Sequence, residues 1–125
     1  MLRSMGRNEQ VRAAWRSLND PHARLKVART TTDVEALATV APSAWEVDAP
    51  TELVRAVLAS EVCTPSIASR FVRHGDRAIR LVLAMRPDSL RTTLQILAWD
   101  EDPEVQAAAR AAALEAPPLP PMHGF

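Results

Sequence analysis

A short module recurs along this chain: an apolar residue is followed directly by Arg, and Ala stands four residues after that Arg. It occupies residues 23–28, 54–59 and 79–84, and a weaker copy occupies 105–110. The copies start 31, 25 and 26 residues apart. A period of this size is typical of helical arrays, in which each unit buries its apolar face by stacking on a neighbour. The sequence predicts an all-α fold, a short right-handed α-solenoid of stacked helix pairs.

The composition favours helices over sheets. Among 125 residues there are three Gly, two Phe and no Tyr, whereas a β-sandwich needs aromatic and β-branched strands and many tight turns. The chain holds one cysteine, Cys63, so no disulfide or cysteine metal cluster can form within it. We expect Leu, Val and Ala to form most of the core.

The second half of each module predicts a shorter helix that ends in an apolar pair. The pairs are Leu37-Ala38, Phe71-Val72 and Leu97-Ala98, and their distances to the next module are 17, 8 and 8 residues. The first unit therefore carries an insertion, placed at 41–50, where Pro and Ser favour a surface loop.

The segments outside the repeats complete a predicted single domain over residues 1–116. Residues 1–19 read as an N-terminal capping helix, since Val11, Trp15 and Leu18 share one helical face. Repeats occupy 20–115, with starts at Asp20-Pro21, Thr32-Asp33, Thr64-Pro65, Pro87-Asp88-Ser89 and Asp100–Glu104. Residues 117–125 are Pro-rich and are expected to be flexible, although their P-x-x-P spacing also suits docking in an aromatic groove.

Charge alternates in blocks along the chain although the net charge is zero. Residues 1–30 and 65–95 carry +5 and +4, whereas 31–64 and 96–125 carry −5 and −4. This alternation suits units that attract one another and differs from the single basic field of a dedicated DNA binder. The apolar runs are shorter than the ~20 residues of a membrane span. We therefore expect no membrane partner, and the lack of an address predicts a cytoplasmic location.

Residues 53–114 resemble the leucine-rich repeat variant family and, more loosely, HEAT-like repeats. The resemblance is carried by Val54-Arg55, Ile79-Arg80, Thr64-Pro65 and 102–105 (Asp-Pro-Glu-Val). It implies units of about two dozen residues that alternate a longer helix with a shorter, often 3₁₀, helix. Such repeats serve mainly as scaffolds. An iron–sulfur cluster known in one member type is not implied here, because this chain lacks its cysteines, and we expect no cofactor.

Three arginines occupy one position of the module: Arg24, Arg55 and Arg80. Stacked units would arrange them in a row, which would suit contact with an anion or with nucleic-acid phosphates. Alternatively, each Arg pairs with an acid of the adjacent unit, such as Asp76 or Asp102, and serves the fold.

A second basic cluster is formed by Arg70, Arg73, His74 and Arg77. On a helix–turn–helix pair these residues can share an edge and bind an acidic partner or nucleic acid. The alternative is a solvated face that balances the neighbouring acidic blocks. Phe71, the aromatic residue among them, is placed in the core.

The three tryptophans are assigned from their surroundings. Trp45 lies in the insertion beside acidic residues, where it is either an interface anchor or a lid over the first unit. Trp15 is expected in the core, and Trp99 is either at the core edge or exposed. Leu81 and Leu94 are both predicted to be core residues from their periodicity.

These observations predict a non-catalytic scaffold or adaptor for a protein partner. Its contact residues would be Trp45, Arg70, Arg73, His74 and Arg77. The alternative is a nucleic-acid-binding module that uses the arginine patch and the Arg24, Arg55 and Arg80 row. No motif for a metal, a phosphate loop or a catalytic nucleophile is present. The Ala-rich last helix offers a surface for self-association.

Overall fold

The computed structural model describes residues 6–115. Within this range the chain is all-helical and contains no β-strand, which confirms the predicted all-α class. The helices are α1 (Arg7–Ser17), α2 (Pro21–Thr30), α3 (Val34–Val40), α4 (Thr51–Ala59), α5 (Pro65–Ala68), α6 (Arg77–Met85), α7 (Arg91–Leu97) and α8 (Pro103–Glu115), with a 3₁₀ turn at Ser69–Phe71 after α5.

Each copy of the module lies within one helix, in α2, α4, α6 and α8. The apolar pairs fall in or at the end of α3, the 3₁₀ turn and α7. Residues 41–50 join α3 to α4 and contain no helix. Contacts connect α2 with α4, α4 with α6, and α6 with α8. The module-bearing helices therefore contact one another in chain order.

Short polar side chains begin most of these helices. Asp20, Asp33, Thr64, Asp76 and Asp102 each accept a hydrogen bond from a backbone N–H of the first turn. These donors have no partner within a helix, so an N-terminal oxygen stabilises the start. Because the signal is local, most of the predicted starts agree with the structure.

The start of α7 differs from its prediction at Pro87-Asp88-Ser89. The helix begins at Arg91, and its N-cap, Leu90, provides no side-chain oxygen. The Ser89 hydroxyl instead donates to the Leu83 carbonyl oxygen at 2.6 Å. This bond satisfies a carbonyl in the last turn of α6, and Ser89 lies one position before the N-cap of α7.

One hydrophobic core extends from Ala14 in α1 to Ala109 in α8. Its largest fully buried side chains include Phe71, Leu37, Ile79, Leu83 and Leu97. Leu94 is also buried, as predicted, whereas Leu81 is only half-buried against the edge of the core. The inward face of α6 is centred on Ile79 and Leu83, which places Leu81 on its flank.

The prediction that Trp15 is a core residue is wrong. Trp15 is 64% exposed, whereas Ala14 and Ser17 are the buried residues of α1. The helix packs against α3, and small side chains at this interface let two helices approach closely. The Ser17 hydroxyl remains satisfied there because it donates to the Ala14 carbonyl oxygen at 2.7 Å.

No helix in residues 6–115 combines the length and the apolar character needed to cross a membrane.

Candidate interaction surface

The 41–50 loop presents Trp45 to solvent. Trp45 is 90% exposed, so it is not the lid over the first unit that the sequence also allowed. The loop around it is closely bonded: the Ser43 N–H donates to a Glu46 carboxylate oxygen at 2.6 Å, and the Glu46 N–H donates to the Ser43 carbonyl oxygen at 3.1 Å. Trp45 therefore projects from a loop whose backbone is ordered by its own hydrogen bonds.

Residues that follow the 3₁₀ turn hold this loop from the other side. The Asp76 N–H donates to His74 Nδ1 at 3.0 Å, which leaves Nε2 to carry the ring proton. His74 Nε2 then donates to the Ala49 carbonyl oxygen, 2.8 Å away. The Gly75 N–H donates to the Val47 carbonyl oxygen at 2.7 Å. A Cβ on Gly75 would lie 3.3 Å from that same oxygen, so a glycine suits this close approach.

His74 is thus corrected from a surface contact to a support of the Trp45 loop. It is 4% exposed, and both ring nitrogens are used inside the molecule.

The arginines of the predicted basic cluster lie in three different environments. Arg70 Nη1 donates to the Ala38 carbonyl oxygen of α3 at 2.8 Å. Arg77 pairs with Asp102 and Glu104 at the start of α8. Arg73 is exposed and has no hydrogen-bond or ion-pair partner among residues 6–115. The members of the predicted cluster therefore differ in burial and in bonding partners.

The Arg77 and Asp102 pair perturbs the titration of both groups. Hydrogen bonds from Arg77, and then from the Val105 N–H, lower the pKa of Asp102 to about 2. Hydrogen bonds to Asp102 and Glu104 raise the pKa of the Arg77 guanidinium. Asp102 also caps α8, where a negative charge is favoured by the positive helix end. The pair therefore stabilises the junction between α6 and α8.

The members of the module arginine row have equally distinct surroundings. Arg24 Nε donates to the Val40 carbonyl oxygen at 2.8 Å, and Arg55 is exposed with no partner among the described residues. Arg80 is 8% exposed and pairs with Asp100, not with Asp76 or Asp102 as the acid-pairing alternative suggested. Arg80 cannot reach an external phosphate without breaking this buried pair.

Several arginines share a role that the sequence analysis missed: they donate to carbonyl oxygens at or just after the ends of helices. The pairs are Arg24 with Val40, Arg70 with Ala38, Arg86 with Leu58, and Arg110 with Ala98. The last carbonyls of a helix lack internal partners and carry partial negative charge. The donor and the acceptor of each pair are distant in sequence. The recurring module, which predicts that successive helices pack together, is the one signal in the sequence that could have suggested these pairs.

All three tryptophans of the chain are exposed. Trp99 is 83% exposed and lies under the Arg110 guanidinium, 5.8 Å from its ring centre. Together with Trp15 and Trp45, it gives the described surface three large aromatic side chains. Tryptophan is enriched among the residues that contribute most to binding at protein interfaces.

A groove of about 590 Å³ lies between the end of α1, α3 and the Trp45 loop. Its apolar lining includes Trp15, Leu18, Ala38 and Ala41, and Arg24 and Arg70 provide its cationic groups. A second depression, of about 360 Å³, is lined by Trp99, Ile96 and Arg73 among others. Two of the three tryptophans thus border a concave surface, and the third lies on the loop beside the larger one.

Cys63 lies away from these grooves at the junction between units. It is buried, burial raises the pKa of its thiol, and its Sγ lies 3.7 Å from the Thr64 carbonyl oxygen. A thiol nucleophile requires the thiolate form, which this environment disfavours. Among residues 6–115, no cluster of three or more His, Cys, Asp or Glu side chains is arranged to hold a metal ion.

Residues 117–125, predicted to form a Pro-rich tail, lie outside the described part of the chain. Comparison of the sequence and structure with protein-family models, curated proteins and solved structures gives no match.

Proposed function

We propose that this chain is a non-catalytic helical-repeat scaffold or adaptor that binds a protein partner through the surface around Trp45. The observation that carries the proposal is the exposure of Trp45 on a loop ordered by hydrogen bonds. Because the backbone of this loop is already ordered by hydrogen bonds, binding through it requires little further ordering of the chain, which favours affinity. The proposal includes a cytoplasmic location.

The order of helix contacts supports the repeat architecture within this proposal. Contacts follow the series α2, α4, α6 and α8, as expected if each unit stacks on the next. We infer a short right-handed α-solenoid related to leucine-rich repeat variants and HEAT-like repeats. In such an array the loops between units form continuous surfaces, which is the usual basis of scaffold function.

The arrangement of arginines favours a protein partner over nucleic acid. Binding to a phosphate backbone requires several cationic groups free to contact phosphates. Arg80 and Arg77 are engaged by Asp100, Asp102 and Glu104 within the fold. The row and the cluster each lose one arginine to internal ion pairs, and the net charge is zero.

The last helix provides a second surface within the proposal. Its outer face exposes Leu114 together with Ala107 and Ala111. This face is the part of α8 through which a second copy of the chain would pack. Light scattering of wild type and Leu114→Glu tests it: loss of a dimer in the variant supports self-association, and a monomeric wild type excludes it.

The experiment that tests the scaffold proposal is affinity capture from lysate with wild type, Trp45→Ala and Trp99→Ala as matched baits. We expect a stoichiometric protein that resists nuclease and is lost with Trp45→Ala. If Trp99→Ala still captures the same protein, the loss with Trp45→Ala is specific to the 41–50 loop. Recovery that disappears on nuclease treatment would instead establish the nucleic-acid alternative.

A further inference from the structure

Arg24 and Arg70 meet at the C-terminal end of α3. They come from different units, yet each donates one hydrogen bond to the last turn of this helix, to the Val40 and Ala38 carbonyl oxygens at 2.8 Å. The carbonyl end of a helix attracts cations. Both arginines are half-buried, and these bonds hold each guanidinium at the groove beside α3.

Most of the donors on these two arginines remain available. A guanidinium carries five N–H groups, and each arginine uses one in the bonds described. No acceptor among residues 6–115 takes another. The acids at the same groove are already engaged, since Glu35 pairs with Arg7 and Glu46 accepts from the Ser43 N–H.

The remainder of the groove is suited to an apolar side chain. Trp15, Leu18, Ala38 and Ala41 contribute to its lining, and Trp15 is 64% exposed. An exposed indole beside fixed guanidinium groups combines an apolar surface with planar donors for a carboxylate. Arginine binds carboxylates through two parallel hydrogen bonds, which fixes geometry as well as charge.

We propose that this groove binds a peptide segment of the partner protein in which Asp or Glu lies beside a large apolar residue. The inference rests on the proposed function and names the chemistry of its partner. A carboxylate with one negative charge fits better than a phosphate group with nearly two, because Glu35 and Glu46 also lie at the groove. The apolar residue occupies the surface against Trp15, and the carboxylate meets Arg24 and Arg70.

The test uses the full chain and a displayed library of random short peptides. We expect selected peptides to be enriched in Asp or Glu next to Leu, Phe or Trp. One selected peptide, synthesised with a fluorescent label, then serves as the probe in anisotropy titrations. Its Asn or Gln counterpart should bind at least about tenfold more weakly.

Two variants locate the binding site on the protein. Trp15→Ala removes an exposed side chain, and Arg70→Lys keeps the charge but loses the planar guanidinium. We expect each substitution to weaken binding of the probe peptide by about tenfold. Trp99→Ala and Arg73→Gln are the matched controls and should bind as wild type. Circular dichroism confirms that each variant is folded.

Three results would overturn the inference. These are a library that yields no acidic peptides, unchanged binding by folded Trp15→Ala and Arg70→Lys, or displacement of the probe by inorganic phosphate but not by acetate. Peptide binding that depends on Trp45 and not on Trp15 would refute this groove while leaving the scaffold proposal intact. A groove that binds acidic peptides, with no protein captured from lysate, would support the site and count against the scaffold proposal.

Discussion

Arg80 and Asp100 form a buried ion pair that joins α6 to the loop before α8. Arg80 Nε and Asp100 Oδ2 lie 2.8 Å apart, Nη2 and Oδ1 lie 3.3 Å apart, and the two side chains are 10% and 9% exposed. The third nitrogen, Nη1, donates to the His74 carbonyl oxygen at 2.7 Å. One arginine thus links α6 to the segment before it and to the loop before α8.

Removing the acid from this pair should strongly destabilise the fold. Asp100→Ala leaves a charged guanidinium buried without its partner, for which we expect a loss of about 3–5 kcal/mol. The exposed pair of Arg29 and Glu52 provides the control, since Glu52→Ala should cost about 0–1 kcal/mol. Urea denaturation of both variants measures the difference. Equal losses would show that burial of the Arg80 pair has no energetic consequence.

Replacing His74 should release the Trp45 loop. In His74→Leu the Ala49 carbonyl and the Asp76 N–H lose their bonds to the ring. Each unsatisfied buried group costs about 1–3 kcal/mol, so we expect lower stability and faster proteolysis within 41–50. Limited proteolysis followed by mass spectrometry locates the cut. The control is Arg73→Leu, at the exposed neighbouring position, which should be digested like wild type. An unchanged rate of cleavage within 41–50 in His74→Leu would contradict the support role of His74.

Asp102 should make stability fall at acidic pH. The pKa of its carboxyl is about 2 in the folded chain, against a reference value of 3.8. The unfolded chain therefore binds the proton first as pH drops. Stability from this group is complete above the unfolded value and is lost as pH falls from about 5 toward 2.

Urea unfolding midpoints of wild type and Asp102→Asn, measured over this pH range, isolate the contribution of Asp102 to the pH dependence of stability. The variant should have the shallower dependence on pH. Glu101→Gln is the control, because Glu101 is exposed and has no hydrogen-bond or ion-pair partner among residues 6–115. Parallel curves for wild type and Asp102→Asn would argue against the Arg77 and Asp102 pair.

Substitutions along α6 test which of its faces is inward. Leu83→Ala removes a fully buried side chain and should cost about 2–5 kcal/mol. Leu81→Ala should cost clearly less, because Leu81 is half-buried at the edge of the core. Thermal and urea denaturation compare the two. A larger loss for Leu81→Ala would favour the orientation predicted from sequence.

Trp45→Ala should leave the fold almost unchanged. The side chain is 90% exposed, and surface substitutions usually change stability by less than about 0.5 kcal/mol. Partner capture should nevertheless be lost in this variant. Collapse of its helical circular dichroism signal would place Trp45 in the core instead.

The parts of the fold that were predicted correctly depend on local signals. Asp20, Thr64 and Asp102 begin helices through bonds to residues two or three positions away, and each copy of the module lies within one helix. Trp15 was misplaced because periodicity alone does not tell which face a neighbouring helix covers. Here α3 covers the side with Ala14 and Ser17.

The candidate site was less predictable than the fold, because the roles of the arginines are set by distant partners. Arg70 bonds to Ala38, 32 residues earlier in the chain, and Arg80 bonds to Asp100, 20 residues later. A charge count assigns both to one basic surface. Arg70 lies at the groove beside α3, whereas Arg80 forms a buried pair with Asp100. This difference follows only from how the helices pack against one another.

The arginine bonds between units also set the smallest piece of this chain that can be studied alone. A fragment that starts at α4 would remove Ala38, the acceptor for Arg70, and one that stops before Asp100 would leave Arg80 charged in an apolar interior. Helix pairs excised from this fold are therefore expected to be unstable in isolation. Deletion of whole helices would report collapse of the remaining protein, so contact sites here are better mapped by point substitution.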